Sequence, residues 1–242
     1  MYFDARYEGT FTAFSLSHLL AVAALFLAIA LMAALRSRLA KRPVRLTLAG
    51  VLLGTEAALN LWYREQGIWS VQSTLPLELC SITLLLSIVM LVTRSRILYE
   101  IVYFAGIAGA LQAILTPELG YPFPHFRFFQ FFIAHAGIIL AALYMTLVEG
   151  YRPVPRSILR VMLFLNGLAV LVWGIDRWLG ANYMFLARKP ENASVLDWFG
   201  PYPYYLLAEE MLALVLFLLL YWPFAGLRRK KQIPREAATG TK

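Results

Sequence analysis

Apolar runs of about twenty residues recur seven times along this chain, and this feature decides its fold class. A helix of that length spans the hydrocarbon core of a bilayer. The 242-residue chain is 60% hydrophobic and 15% charged, which is too apolar for a soluble domain. The sequence therefore predicts an all-α polytopic membrane protein, with a bundle of seven transmembrane helices in residues 1–227. The predicted spans are residues 14–35, 46–63, 75–92, 97–115, 128–148, 158–178 and 204–222.

Lysine and arginine are concentrated in alternate loops and indicate an orientation. Clusters follow the first, third, fifth and seventh spans, at residues 36–45, 94–96, 152–160 and 228–231. Because cytoplasmic loops are enriched in basic residues, we expect the N-terminus outside and the C-terminus in the cytoplasm of a multi-pass cell-membrane protein. Residues 228–242 are predicted to be a disordered basic tail near anionic headgroups. The net charge of +8 therefore belongs to membrane loops and does not predict nucleic-acid binding.

Polar side chains in the spans share one depth. An ionisable side chain inside a span costs about 2.5–3.5 kcal/mol, so it usually faces a partner or a cavity. These residues lie within about 14 Å of the outer ends of their spans, at a rise of about 1.5 Å per residue. We predict one outer-half cavity, built from every span except the fourth and covered by the loops at 117–127 and 180–203. The residues predicted for it are His18, Glu56, Asn60, Glu78, Cys80, Gln112, Gln130, His135, Asp176, Glu209 and Glu210.

Each of these residues also has a structural explanation. The two histidines can hydrogen-bond between helices. Glu56 and Asn60 lie one turn apart and can pair, while Glu78 can cap the third span. Asp176 can form a local ion pair with Arg177, and a lone cysteine is usually a small packing residue. Both interpretations stay open at this point.

Cys80 and His135 together indicate a reaction. They are at the same predicted depth on different spans, and an imidazole can deprotonate a thiol to the nucleophilic thiolate. Acyl transfer through a thioester would use Cys80 as nucleophile and His135 as base and then acid, with a carboxylate such as Glu78 or Glu209 orienting the ring. The single cysteine cannot form an internal disulfide, and we expect no metal or other cofactor.

A non-enzymatic transporter or ligand sensor of seven-helix type is the alternative. The first and fifth spans both contain Phe-x-x-x-His, at Phe14 to His18 and Phe131 to His135, as an internal repeat would. A retinal protein is excluded because no lysine lies within a span. The predicted partners are membrane lipids and a lipid or small-molecule ligand.

Two motifs carry a family resemblance. Residues 75–80 read Leu-Pro-Leu-Glu-Leu-Cys, and residues 196–205 read Leu-Asp-Trp-Phe-Gly-Pro-Tyr-Pro-Tyr-Tyr, after Asn-Tyr-Met-Phe-Leu at 182–186. The chain resembles the YwaF-like family of bacterial integral membrane proteins, which is similar to animal transmembrane protein 164. That animal protein is described as an acyltransferase that remodels ether phospholipids through a cysteine. The resemblance implies that Cys80 corresponds to this cysteine and His135 to a downstream histidine.

Overall fold

The computed structural model describes residues 2–7, 9–39, 41–189 and 198–229, and the side chains of the last range to residue 226. Seven helices lie within these ranges, which contain no β-strand. Six of the helices are long and apolar enough to cross a membrane, so the prediction of an all-helical membrane protein is confirmed. The helices are α1 Leu16–Leu35, α2 Lys41–Glu65, α3 Leu79–Thr93, α4 Arg96–Leu115, α5 Phe126–Leu147, α6 Pro155–Leu179 and α7 Tyr204–Arg229.

Helix α3 is shorter than predicted. Its 15 residues begin at Leu79, because the segment with Pro76 is not helical and Glu78 occupies the N-cap position with extended backbone. Helix α7 continues to Arg229 and so includes the first two residues that were assigned to the tail. Residues 230–242 of that tail lie outside the described residues.

One end of the bundle carries the basic loops and is called the basic end. There the Tyr144 hydroxyl donates a hydrogen bond of 2.6 Å to the Lys41 carbonyl, which joins α5 to α2. The Tyr151 hydroxyl donates to the Arg94 carbonyl at 2.7 Å, which fixes the loop after α5 against the loop after α3. The first contact joins the end of α5 to the start of α2, as expected for neighbouring helices that run antiparallel.

The other end is called the opposite end, and it is closed by aromatic side chains. Trp62, at the end of α2, donates from Nε1 to the Phe3 carbonyl at 2.7 Å. The Tyr183 hydroxyl donates to the Val71 carbonyl at 2.9 Å, which joins the segment after α6 to the segment before α3. Tyrosine and tryptophan suit this position because they combine an apolar ring with a polar group.

Helix α4 lies at the centre of the bundle. It packs against α7 near the basic end and borders the cavity further along. Near the basic end, the Tyr103 hydroxyl donates to the Leu220 carbonyl of α7, and Phe104 packs against Phe217. Residues Val102–Gly106 form a π-helical turn, and an added Cβ at Gly106 would lie only 3.0 Å from Ile138 of α5. Beyond this turn, α4 faces open space, and the cavity begins there.

Candidate functional site

A cavity of about 800 Å³ occupies the half of the bundle nearest the opposite end. Helices α2 to α7 contribute to its wall, together with the segment between α6 and α7. That volume is at the upper end of the range for small-molecule pockets, which is about 300–1,000 Å³. Apolar side chains form most of the wall. Its polar side chains are Glu56, Tyr63, Glu78, Cys80, Ser81, Gln112, Thr116, Glu118, Arg127, Gln130, His135, Asn166, Tyr202, Glu209 and Glu210.

Eight of the eleven residues predicted for a cavity line this one. They are Glu56, Glu78, Cys80, Gln112, Gln130, His135, Glu209 and Glu210. The other three, His18, Asn60 and Asp176, are not in its wall. The helices also differ from the prediction, because α1 does not contribute and α4 does. The reason is that α4 is central, and one side of its second half, with Ala108, Gly109 and Gln112, lines the cavity.

His18 is a packing residue of the bundle. Its Nδ1 accepts a hydrogen bond of 2.9 Å from the Phe14 amide, and its Nε2 lies 2.8 Å from the Ile114 carbonyl. A carbonyl only accepts, so Nε2 carries the proton and both ring nitrogens are paired. The side chain is 1% exposed. His18 therefore joins α1 to the end of α4 by one of the interhelical bonds considered as its structural explanation.

Asn60 and Asp176 lie outside the cavity wall and form hydrogen bonds with residues in it or next to it. Asn60 Nδ2 donates to the Glu56 carboxylate at 3.1 Å, one turn away on α2, which is the pairing considered from the sequence. Asp176 accepts from the Tyr183 amide at 2.9 Å. The ion pair with Arg177 is not formed, because that guanidinium lies over the Trp173 ring, 5.9 Å from its centroid.

Cys80 is the second residue of α3 and lies in its first turn. The first hydrogen bond of this helix is donated by the Ile82 amide to the Glu78 carbonyl at 3.0 Å. The amides of Leu79, Cys80 and Ser81 therefore have no acceptor within the helix. Unpaired amides and the helix dipole give this end partial positive charge, which favours a negative charge on or beside the Cys80 sulfur.

His135 presents a defined ring nitrogen for proton transfer. Its Nδ1 lies 2.8 Å from the Phe131 carbonyl one turn earlier on α5. Because the carbonyl can only accept, Nδ1 is the protonated nitrogen, and the lone pair is on Nε2. The expected carboxylate is thus replaced by a backbone carbonyl as the group that orients the ring. His135 and Cys80 line the same cavity from the adjacent helices α5 and α3.

Glu78 is held by the segment that follows α6. Its Oε2 accepts a hydrogen bond of 3.0 Å from the Met184 amide. Met184 and the next residue, Phe185, have φ values of 54° and 52°, a left-handed conformation that side chains disfavour. Both residues line the cavity. The segment after α6 therefore covers part of the cavity, and its strained backbone directs an amide at Glu78.

Seven polar residues of the wall were not predicted, namely Tyr63, Ser81, Thr116, Glu118, Arg127, Asn166 and Tyr202. Arg127 was assigned to a loop, but it is the second residue of α5. Its guanidinium lies over the rings of Trp62 and Tyr63, 6.0 and 5.9 Å from their centroids. Asn166 Nδ2 donates to Glu210 Oε1 at 2.8 Å and joins α6 to α7. The sequence signal that could have identified Arg127 is the Trp62-Tyr63 pair at a predicted helix end, because a guanidinium can lie over such rings.

Fold and cavity together define a helical membrane-type protein with a mixed polar and apolar chamber inside the bundle. The TMEM164 family matches residues 13–221, so the chain belongs to that family and the predicted resemblance is confirmed. An uncharacterized protein of Treponema pallidum (strain Nichols) is 27% identical over 159 residues. That match covers 64% of this chain and 64% of the relative, less than two thirds of the relative's length. No solved structure matches the chain.

Proposed function

We propose that this protein transfers acyl groups between membrane lipids through a thioester on Cys80. The observation that carries the proposal is that Cys80 and His135 line one cavity within the helical bundle. Cys80 lies beside amides that have no acceptor within their helix, and His135 has its lone pair on Nε2. The apolar wall suits an acyl chain. Val170 and Trp173 belong to that wall yet are 71% and 46% exposed, so the wall continues to the surface that faces lipid.

The first half-reaction forms the thioester. His135 Nε2 takes the Cys80 thiol proton as the sulfur attacks the ester carbonyl of a donor lipid, because a thiolate is costly in this largely apolar wall before the attack. The carbonyl oxygen becomes an oxyanion, which the amides at the start of α3 can stabilise because they have no acceptor within the helix. The ester C–O bond then breaks, and the leaving alkoxide takes the proton from His135. The products are an S-acyl cysteine and a lysolipid.

The second half-reaction passes the acyl group to an acceptor. His135 Nε2 removes the proton from a lipid hydroxyl, and the oxygen attacks the thioester carbonyl. The same amides face the second oxyanion. The C–S bond breaks, and the Cys80 sulfur recovers the proton from His135. The enzyme returns to its starting state, with one ester broken and one ester formed.

The experiment is acyl exchange in proteoliposomes. The donor is a phospholipid with an isotope-labelled acyl chain, and the acceptor is an unlabelled lysophospholipid. The wild type should yield labelled diacyl product and a hydroxylamine-sensitive adduct in intact-mass spectra. Cys80→Ala should abolish both, while His135→Gln should slow transfer about 10²- to 10⁴-fold, because glutamine does not exchange a proton at neutral pH. Ser81→Ala is the matched control, since this neighbour also lines the cavity.

Full transfer by Cys80→Ala would eliminate the covalent mechanism. Solute uptake by the same proteoliposomes tests the alternative, a transporter in which the cavity carboxylates bind the solute. The specific observation in its favour is that five glutamates line the cavity among the described residues. A transporter would keep its uptake in Cys80→Ala and lose it in Glu56→Leu, because moving a solute needs polar contacts but no thioester.

We also infer that the basic end is cytoplasmic and the cavity end faces the outer leaflet of the cell membrane. The basis is the placement of the basic loops, since lysine and arginine are enriched in cytoplasmic loops. Reporter fusions at Arg42, Arg94 and Pro153 should be cytoplasmic, and those at Gly67 and Tyr121 external. External labelling of a tag in the loop at Arg94 in intact cells would reverse the orientation.

A further inference from the structure

Among the described residues, the cavity wall contains one lysine or arginine side chain, and the transfer mechanism above does not use it. Among the described residues that line the cavity, Arg127 is the only lysine or arginine. The two ion pairs found among the described residues are Arg45–Glu149 and Arg160–Glu100, and neither involves Arg127. Arg127 interacts electrostatically with Glu56 but forms no ion pair with it, so an anion in direct contact would offset more of the cost of a guanidinium in this largely apolar wall.

The guanidinium of Arg127 is held in a fixed orientation. Trp62 and Tyr63 at the end of α2 provide two ring faces at 6.0 and 5.9 Å, and an Nη1–H group donates to Gln130 Oε1. Guanidinium has five N–H donors in a planar fork, and the bond to Gln130 uses one of them. A fork held in this way matches two oxygens of a phosphate group, with which arginine forms paired charge-assisted hydrogen bonds.

The depth of Arg127 fits a lipid that reacts at Cys80. Arg127 is the second residue of α5, and His135 lies eight residues further along the same helix, or about 12 Å along its axis. In a glycerophospholipid, the ester carbonyls lie several bonds from the phosphorus, on the side of the acyl chains. A phosphate at Arg127 therefore leaves an ester directed along the cavity toward the depth of His135.

We infer that Arg127 is a specificity-determining residue that binds the phosphate of a glycerophospholipid and so sets the position of its ester. The inference rests on the proposed function for the identity of the reacting lipid, but phosphate binding can be measured separately from transfer. Of the five glutamates in the wall, Glu56 interacts electrostatically with Arg127, and none of the five attracts an anion. Arg127 is thus the place in the wall that favours a phosphate.

The test compares two lipids that differ only in the phosphate, dioleoylphosphatidic acid and dioleoylglycerol. Binding is measured by native mass spectrometry on the full chain carrying Cys80→Ala, which prevents transfer during the titration. Phosphatidic acid should bind more tightly than diacylglycerol. Adding Arg127→Gln should weaken phosphatidic acid binding about 10- to 100-fold and leave diacylglycerol binding unchanged, because the variant loses a charge-assisted contact. Arg127→Lys should lie between the two, since it keeps the charge but loses the fork.

Arg177→Gln is the matched control. This arginine also lies over a tryptophan ring near the same end but does not line the cavity, so its loss should not change either affinity. Unfolding temperatures of all variants identify any that fail to fold, and Arg127→Lys retains the test if Arg127→Gln is one of them. Unchanged preference for phosphatidic acid in both Arg127 variants would overturn the inference.

Inorganic phosphate alone distinguishes the two sources of this chemistry. If the site serves a lipid headgroup, millimolar inorganic phosphate should compete only weakly with the lipid and should bind only weakly in its absence. Tight, Arg127-dependent binding of inorganic phosphate, with no preference between the two lipids, would assign the site to a free anion and overturn the lipid assignment. Failure of Cys80 to carry an acyl group would leave the lipid binding result intact, so the two proposals fail separately.

Discussion

The Glu78 carboxylate and the Met184 amide are joined by a hydrogen bond of 3.0 Å between residues 106 positions apart in the chain. Glu78 is the N-cap residue of α3, two positions before Cys80, but its side chain does not cap that helix. It instead fixes the segment after α6 against the start of α3. This bond therefore couples the cover of the cavity to the helix turn that carries the proposed nucleophile.

Replacement of Glu78 should separate hydrogen bonding from charge. Glu78→Gln keeps a side-chain oxygen for the Met184 amide, so its unfolding free energy in detergent should remain within about 1 kcal/mol of the wild type. Glu78→Leu leaves that amide without an acceptor and should lose about 1–3 kcal/mol. Glu65→Leu, at an exposed position at the end of α2, is the control and should have little effect. Equal stability of the Gln and Leu variants would contradict a structural role for this bond.

The sequence predicted the helices and most of the cavity, because both follow from the cost of placing polar groups in a bilayer. It could not distinguish His18 from His135, which share a Phe-x-x-x-His pattern and nearly the same depth. In the structure, the Phe14 amide donates to Nδ1 of His18, whereas Nδ1 of His135 donates to the Phe131 carbonyl. The two rings therefore carry their protons on opposite nitrogens. The Phe14 amide and the Ile114 carbonyl of α4 together decide this difference.

The predicted start of α3 was wrong for a related reason. Residues 75–78 are apolar enough to belong to the run, but the Tyr183 hydroxyl accepts a hydrogen bond of 2.9 Å from the Leu75 amide. This contact is with a residue 108 positions away, and residues 75–78 form a turn before the helix. Arg127 was missed because its partners, Trp62 and Tyr63, belong to another helix. Hydropathy records none of these contacts between distant parts of the chain.

Gly137 permits the close approach of α5 to α2. A Cβ added at Gly137 would lie 2.6 Å from Cδ2 of Leu52, a fully buried side chain. Gly137→Ala should therefore destabilise the protein by about 1–3 kcal/mol through overpacking, measured by thermal unfolding in detergent. Leu52→Val combined with Gly137→Ala should recover part of that loss. Gly54→Ala is the matched control, because no atom lies within 4 Å of its added Cβ, and it should not destabilise. Equal effects at the two glycines would contradict the predicted contact.

His125 should make stability depend on pH. The residue lies before α5, is 1% exposed, and its Nδ1 accepts from the Arg127 amide at 3.1 Å. Burial lowers the pKa of His125 below its ordinary value of about 6.5, so the unfolded chain binds this proton more readily than the folded protein. The contribution of neutral His125 to the unfolding free energy is complete above about pH 6.5. It is lost as the pH falls from there toward the pKa of His125 in the folded protein.

Two variants isolate this effect. His125→Asn keeps an oxygen to accept from the Arg127 amide but does not titrate, so its unfolding temperature should fall less between about pH 7.5 and about pH 5 than that of the wild type. Tyr121→Leu removes the ring stacked on His125 at 4.3 Å but keeps the imidazole. It should be less stable at both pH values and retain the pH dependence. The same dependence in His125→Asn as in the wild type would assign it to other groups.

The ion pair between Glu100 and Arg160 should contribute to stability without affecting the cavity. Arg160 Nη1 lies 2.9 and 2.7 Å from the two carboxylate oxygens, and the Glu100 side chain is 2% exposed. Arg160→Met leaves a buried carboxylate unpaired and should cost about 3 kcal/mol, at the lower end of the usual range because the Arg160 side chain is 52% exposed.

Glu100→Leu with Arg160→Met should recover much of this loss, and Arg156→Met, an exposed neighbour, should cost little. The measurement is a double-mutant cycle of unfolding free energies, with lipid affinity unchanged throughout because the pair lies outside the cavity wall. If the losses of unfolding free energy in the two single variants simply add up in the double variant, the two side chains have no interaction energy. That result would contradict a stabilising ion pair between α6 and α4.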